Sequence, residues 1–284
     1  MDGILLINKE RGWTSRDVCN KLQKILNEKS IGHLGTLDPF AEGLLAVTIG
    51  KANKIMQFTE NFRKTYIADL YLGIETDTGD LTGEVINKKD VKDLTESEIK
   101  TILKSFLGKI MQVPPMTSAV HHQGRKLYEI AHEGEVVERK PREVEIFELK
   151  FISYHDHHLI FETTVSKGTY IRVLGEDIAK KLETVGHLYS LLRTKVGPLD
   201  LINAKKINEV DMNTRLIPTV NILTHFTRLK FPPHLIKKVK DGQSMPIEGI
   251  DDEYVLIIDE DGEAIAIYKR VGNKGMYHCY RGLW

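Results

Sequence analysis

The chain of 284 residues is 41% hydrophobic and 28% charged, with 40 basic residues balanced by 40 acidic ones. This is the make-up of an ordinary globular protein, large enough for one domain or two. It contains no run approaching the roughly 18–20 apolar residues of a membrane span, and its start lacks the basic segment and cleavage site of a signal peptide.

The opening "GILLIN" reads as a strand, followed by a turn and a helix in which Val18, Leu22, Ile25 and Leu26 recur at helical spacing. Thr14 with Asp17 forms a capping-box pattern at its start. "EGLLAVTIG" has the short apolar character of a buried strand. "KTYIADLYLGIETDTGDLTGEVI" reads as a strand, a Gly/Asp/Thr-rich turn and a second strand. "TESEIKTILKSFLG" is a helix with Thr95 as its N-cap and Gly108 as its stop. "VPPM" cannot continue a helix, and a loop-rich basic segment leads from it to two strands, "REVEIFELKFISYH" and "HLIFETTVSKGTYIRVL". An amphipathic helix over residues 173–184 follows. Strands and helices interleave with several strands close enough to pair as antiparallel neighbours, so the class is α/β or α+β with a mixed sheet. From about Arg228 turn signals recur between short β-rich runs, and "YVLIIDEDGEAIAIYKR" is a hairpin pattern. A tail of about 55 residues has the size of a small β-domain, with the boundary near residue 226.

Several kinds of chemistry lack their signatures. Gly43 and Gly50-Lys51 miss the P-loop spacing, and Ala52 stands where it needs Ser or Thr; no G-x-G-x-x-G follows a strand. None of the 11 histidines sits in H-E-x-x-H. His121 and His122 are adjacent and would point to opposite faces of a strand. Cys19 and Cys279 stand alone, which points to a reducing compartment, with the cytoplasm as the default, and against a disulfide framework or zinc site. No cofactor or metal is expected.

Zero net charge gives no overall attraction to nucleic acid, although Arg125, Lys126, Arg139, Lys140 and Arg142 could form a local basic face. A solvated surface is the plain alternative. In "GHLGTLDPFAEGLL", Pro39 keeps Asp38 out of helix, and Gly32 and Gly35 allow close approach or positive φ. Asp38 can therefore cap an Asx-turn or present a carboxylate in a cleft. Tyr66, flanked by Arg63 and Lys64, suits stacking a base beside a phosphate, or else is a core aromatic. Tyr170 and Arg172 read as one face of a strand, where a buried arginine needs a partner such as Asp38; Lys167-Gly168 lies just upstream.

These stretches, taken in order with "NKERGWTS", "VPPMTSAVHHQGRKLYEIAHEG" and "GHLYSLLRTKVG", resemble the TruB family of tRNA pseudouridine synthases. The resemblance spans most of the first 225 residues. It implies a pseudouridine-synthase domain over residues 1–225, with a mixed, largely antiparallel central sheet and flanking helices. Residues 121–145 would be a mobile segment gripping RNA, and residues 226–284 a PUA-like, barrel-like RNA-contacting domain. Asp38 matches the essential catalytic aspartate, Tyr66 the tyrosine that stacks on the target uracil and serves in proton transfer at C5, and Arg172 the arginine paired with the carboxylate. Tyr170 matches the pocket wall, Leu191 an apolar residue packing on the base, and His33 the histidine that inserts into the T-loop. Lys9 matches a lysine supporting the active-site loop; Arg125, Lys126 and Lys167 would face RNA phosphates.

Glu10 departs from the family's usual proline, Leu34 from Thr or Gly, and Glu42 from Thr, none of them removing a chemical group. The implied activity is isomerisation of uridine 55 in the tRNA T-loop through base flipping, aspartate-dependent glycosidic cleavage, base rotation and rejoining at C5. The implied partner is the tRNA T-arm, without a guide RNA, bound by a monomer. A tRNA-folding scaffold of the same fold, or a synthase acting on another RNA, are the alternatives.

Overall fold

The computed structural model describes the whole chain except residues 119, 120, 123, 128, 129, 131, 132, 136, 273 and 274, with backbone alone at 121, 122 and 126. Its strands are β1 (Gly3–Lys9), β2 (Ile31–His33), β3 (Glu42–Ile49), β4 (Lys64–Leu72), β5 (Ile74–Thr76) and β6 (Val85–Lys88). There follow β7 (Gly108–Gln112), β8 (His121–His122), β9 (Arg125–Lys126), β10 (Arg142–His155), β11 (His158–Val165), β12 (Gly186–Val196) and β13 (Leu199–Asp200). The last five are β14 (Thr227–Lys230), β15 (Met245–Pro246), β16 (Tyr254–Ile258), β17 (Ala264–Val271) and β18 (Met276–Gly282). The α-helices are α1 (Ser15–Leu26), α2 (Met56–Thr59), α3 (Glu96–Lys104), α4 (Ile171–Lys181) and α5 (Pro233–Lys240).

The large sheet runs β1-β3-β12-β4-β11-β10-β7, with β2 on β3 and β13 on β12. Its neighbours are antiparallel except β3 and β12, which run parallel at Leu192–Glu42 and Arg193–Gly43. Period-two alternation sets the core. Tyr66, Ala68, Leu70 and Leu72 of β4 pack with Val18 and Leu22 of α1, Ile99 and Leu103 of α3, and Leu174 and Ile178 of α4. Residues 4–7 of β1 are all apolar because both faces of the strand are buried there. Leu5 and Ile7 join that cluster, while Ile4 and Leu6 join a second one on the opposite face.

This second cluster reaches across to the C-terminal sheet, ordered β14-β16-β17-β18-β15, through Leu256, Ile267 and Leu283. Val255 and Ile257, on the other face of β16, pack against Ile236 and Val239 of α5. Tyr268 and Tyr277 are buried there with their hydroxyls donating to the carbonyls of Gln243 (2.8 Å) and Asp252 (2.7 Å), so neither buried polar group is left unpaired. No described helix is long and apolar enough to cross a membrane.

The capping boxes at Thr14–Asp17 and Thr95–Glu98 form as the sequence indicates. Three elements differ from the sequence reading. Tyr170 and Arg172 do not share a strand face: β11 ends at Val165, the turn at Lys167-Gly168 (Gly168 φ 78°) breaks it, and Tyr170 is the N-cap of α4. Ile171, Leu174 and Ile178 give that segment a helical stripe for the core, and this places Arg172 in the first turn of the helix. α3 stops at Lys104, with Ser105 as its C-cap, and Gly108 instead begins β7. Pro233 opens α5, where its fixed φ and missing N–H suit a first helical position, although Pro232-Pro233 reads as a turn.

Candidate active site

Asp38 sits in the loop joining β2 to β3, and every backbone carbonyl from Gly35 to Pro39 accepts a hydrogen bond. The carbonyls of Gly35 and Thr36 accept from Arg193 Nη2 (2.9 Å) and Nη1 (3.1 Å), and Leu37 exchanges two hydrogen bonds with Ser15 Oγ, at 2.8 and 3.1 Å. The Asp38 carbonyl accepts from the Ala41 amide (3.1 Å) and the Pro39 carbonyl from the Gly12 amide (2.8 Å). Arg193 is fully buried and its Nε donates to Leu44 O at 2.8 Å, so this one planar cation braces both the loop and the strand after it. The close approach needs Gly43, at φ 99°, where a Cβ would fall 2.4 Å from the Arg193 carbonyl. Lys9, 1% exposed, supports the loop from below: Nζ donates to Trp13 O (2.8 Å), Glu10 O (3.0 Å) and Pro39 O (3.4 Å). Burial lowers its pKa to about 8.

The Asp38 carboxylate accepts no hydrogen bond from the loop that carries it, so it is not the cap of an Asx-turn. It lies 3.1 Å from Nε of Arg172, whose side chain is 6% exposed, yet 37% of the Asp38 side chain still meets solvent. The carboxylate therefore meets solvent while its charge partner is buried beside it. Arg172 is itself held on several sides. Its Nη1 donates to Thr78 O (2.9 Å) and Thr117 Oγ1 (2.8 Å) and lies 3.5 Å from Asp80 Oδ2. Asp80, buried, accepts from the Thr82 amide (3.0 Å) and hydroxyl (2.5 Å) and from Thr78 Oγ1 (3.1 Å). Burial raises the pKa of Asp38 above that of an ordinary aspartate. Arg172 is the main opposing influence, Asp80 adds to the rise, and Lys9 and Arg193 oppose it more weakly.

β4 and β12 form the floor beside this carboxylate. Tyr66 pairs with Arg193 and Leu191 with Ala68, and both side chains are buried on the face that carries the loop. Tyr170 is half-buried; its backbone amide donates to Gln112 Oε1 (3.0 Å) and its carbonyl accepts from Gln112 Nε2 (3.3 Å). His33 ends β2 half-buried. Its Nδ1 has no partner among the described residues, and burial, with Arg193 and Arg16 nearby, lowers its pKa.

Arg172 thus meets Asp38 directly, buried Lys9 holds a carbonyl of the loop that carries Asp38, and Tyr66 and Leu191 share the apolar cluster of the loop residues Leu37 and Phe40. Lys167 stands further out, 56% exposed and 3.8 Å from Glu60. Arg125 pairs with Glu133 at 2.5 Å on the surface; the Lys126 side chain and much of the 121–145 segment lie outside the described residues. Asp80 and Arg193 were missed by the sequence reading. Asp80 looked like one more turn residue in "ETDTGDLTG", and nothing in "LLRTKVG" singles out Arg193. Among the described residues no cluster of three His, Cys, Asp or Glu could hold a metal ion.

Known proteins resemble this chain over most of its length. The family model described as the N-terminal domain of the TruB family of pseudouridylate synthases matches residues 23–171. A protein of Hydrogenovibrio crunogenus called tRNA pseudouridine synthase B is 39% identical over 94% of this chain and 89% of its own length. Its namesake in Bacillus pumilus is 38% identical over 95% and 93%, and that in Caldanaerobacter subterraneus 36% over 96% and 97%. Among solved structures, a chain from a Cbf5–Nop10–Gar1 complex superposes with a TM-score of 0.77 over 99% of this chain and 85% of that one. At 23% identity that likeness shows the shared fold. With the family model spanning more than half of its length and relatives matching nearly all of it, the chain belongs to the TruB family of pseudouridylate synthases.

Proposed function

We propose that the chain converts uridine 55 in the T-loop of tRNA to pseudouridine, with Asp38 as the group that attacks and Tyr66 as the base that completes the isomerisation. The relatives' shared name, tRNA pseudouridine synthase B, supplies the substrate. The observation that carries the residue roles is the Asp38 carboxylate itself: unused by its own loop, part-exposed, and 3.1 Å from a buried arginine.

The reaction exchanges an N1–C1′ bond for a C5–C1′ bond. N1 gains a proton and C5 loses one, so nothing is oxidised or reduced. The target base must leave the stem-loop to reach this part-exposed carboxylate, and an inserted side chain then fills its place. His33, at the end of β2 where the Asp38 loop begins, is our candidate for that insertion. The extruded uracil would lie between Tyr66 and Leu191 with Tyr170 at its edge. Ionised Asp38 then acts at C1′ or C6 as a nucleophile, or at C2′ as a base. Arg172 keeps it ionised and aimed, while Asp80 and Thr117 hold the arginine in place. After rotation of the base, Tyr66 accepts the C5 proton. Residues 226–284 we assign to a separate RNA-contacting unit, and the basic residues Arg125 and Lys126 to the phosphates of the T-stem.

Incubation of the monomeric chain with an unmodified tRNA transcript, without cofactor or guide RNA, followed by pseudouridine mapping, tests this reading. Pseudouridine at position 55 is expected. Binding of the transcript with that uridine untouched would establish a scaffold instead.

A further inference from the structure

Two basic residues precede Tyr66, and the fold sends them to opposite sides of β4. Arg63 stacks on the ring of Phe147, 3.6 Å from its centroid. Lys64 shares the face of Tyr66, and the two side chains start roughly 7 Å apart along the strand. That spacing is comparable to the reach from a nucleobase to its own phosphate. The alkyl chain of Lys64 crosses the Asp38 loop at Gly35, whose φ is 108°; a Cβ there would stand 3.1 Å from Lys64 Cε and 3.8 Å from Nζ. A side chain at Gly35 would press on the lysine as well as strain the backbone.

The ammonium is half-buried, and its described hydrogen bond is to Phe62 O at 3.4 Å, near the limit for such a bond. No carboxylate stands among the charges acting on it. They are Arg193 and Lys167, and with burial they lower the Lys64 pKa to about 8. Arg193 has already committed donors to three carbonyls. Lys167 is 3.8 Å from Glu60, with more than half its side chain in solvent. A half-buried cation flanked by cations is a place suited to an anion.

We propose that Lys64, assisted by Lys167, is a positioning residue that binds one backbone phosphate of the RNA strand adjacent to the nucleotide on Tyr66. The phosphate neutralises a cation for which no carboxylate partner stands among the described residues, and it fixes the sugar of the target relative to Asp38. This inference rests on the RNA-modifying reading above and goes beyond it by naming the contact.

The test uses T-arm stem-loop RNAs, each with a single neutral methylphosphonate linkage near the target, bound by wild type, Lys64→Gln and Lys64→Arg. All three chains are first checked by thermal melting. In wild type one linkage should weaken binding by roughly fivefold to tenfold, and in Lys64→Gln the same RNA should bind no worse than unsubstituted RNA. Removing the contact should also reduce the slope of log affinity against log salt by about 0.7–0.9, the value of one phosphate, while Lys64→Arg retains wild-type behaviour. If every linkage effect persists unchanged in Lys64→Gln with the salt slope intact, the lysine holds no phosphate and the proposal fails. Wild-type turnover of the unsubstituted RNA separates the two claims: its absence overturns the functional reading, whereas turnover with no linkage coupling overturns this inference alone.

Discussion

The Asp38 carboxylate lies between influences of opposite sign, and the balance is testable by titration. Burial and Asp80 push its pKa up, while Arg172, Lys9 and Arg193 pull it down. Asp38 must be ionised to act, so single-turnover rates should fall as pH drops through a midpoint above that of an ordinary aspartate. Asp80→Asn removes an influence that raises the pKa and should move this limb to lower pH; an unmoved or raised midpoint would show that Asp80 does not act on Asp38. The same shift has a consequence for stability. A carboxyl whose folded pKa is raised costs stability when ionised, and that cost disappears as pH falls and the group protonates. Asp38→Asn should therefore melt higher than wild type near pH 7, with the advantage shrinking in acid. Solvent screens the part-exposed group, so the gain should be on the order of 1 kcal/mol or less. Equal melting temperatures across the pH range would contradict it. Tyr66→Phe keeps the ring and removes the base, so it should bind RNA normally while losing about 10²–10⁴-fold in turnover.

Among segments, the loop from Gly35 to Pro39 is rigid because its carbonyls are matched to donors from β1, α1 and β12. Arg193→Met leaves three carbonyls without their charged donor, two of them in the loop. The expected loss is on the order of 3 kcal/mol in denaturant unfolding, with a matching loss of order in the Asp38 loop. A loss below the effect of a surface substitution would show that the clamp is dispensable. This clamp was not legible in the sequence, since β12 carries Arg193 into a fully buried position only once it pairs with β4 and β3. Local capping chemistry was legible, as Thr14–Asp17 and Thr95–Glu98 show, because those contacts span three residues. Arg172 was legible as a partner for Asp38 but not as a helical residue, because "GTYIRVL" has β-branched and aromatic residues that suit a strand equally well. The core packing of Ile171, Leu174 and Ile178 decided it.

At the scale of the molecule, the C-terminal sheet is packed onto the large one through shared apolar contacts. Leu256, Ile267 and Leu283 lie in one cluster with Leu44, Ala46, Val220 and Leu223, and Phe58 meets Phe226 and Tyr280 edge-on at 5.6 and 5.9 Å. Removing residues 227–284 uncovers this cluster, so the shortened chain should melt at lower temperature and aggregate. An unchanged melting curve would show that the large sheet is stable alone. The composition break near residue 226 was visible in the sequence; the extent of this joint was not, because Leu44 and Leu283 are 239 positions apart and no local pattern links them.

The central claim, that one carboxylate on a clamped loop performs the isomerisation, is tested most directly by comparing wild type with Asp38→Asn on the same unmodified tRNA, with binding and conversion measured side by side. The account predicts equal affinity, conversion of uridine 55 by wild type, and none above background by the variant. Conversion by Asp38→Asn at a rate near that of wild type would contradict it.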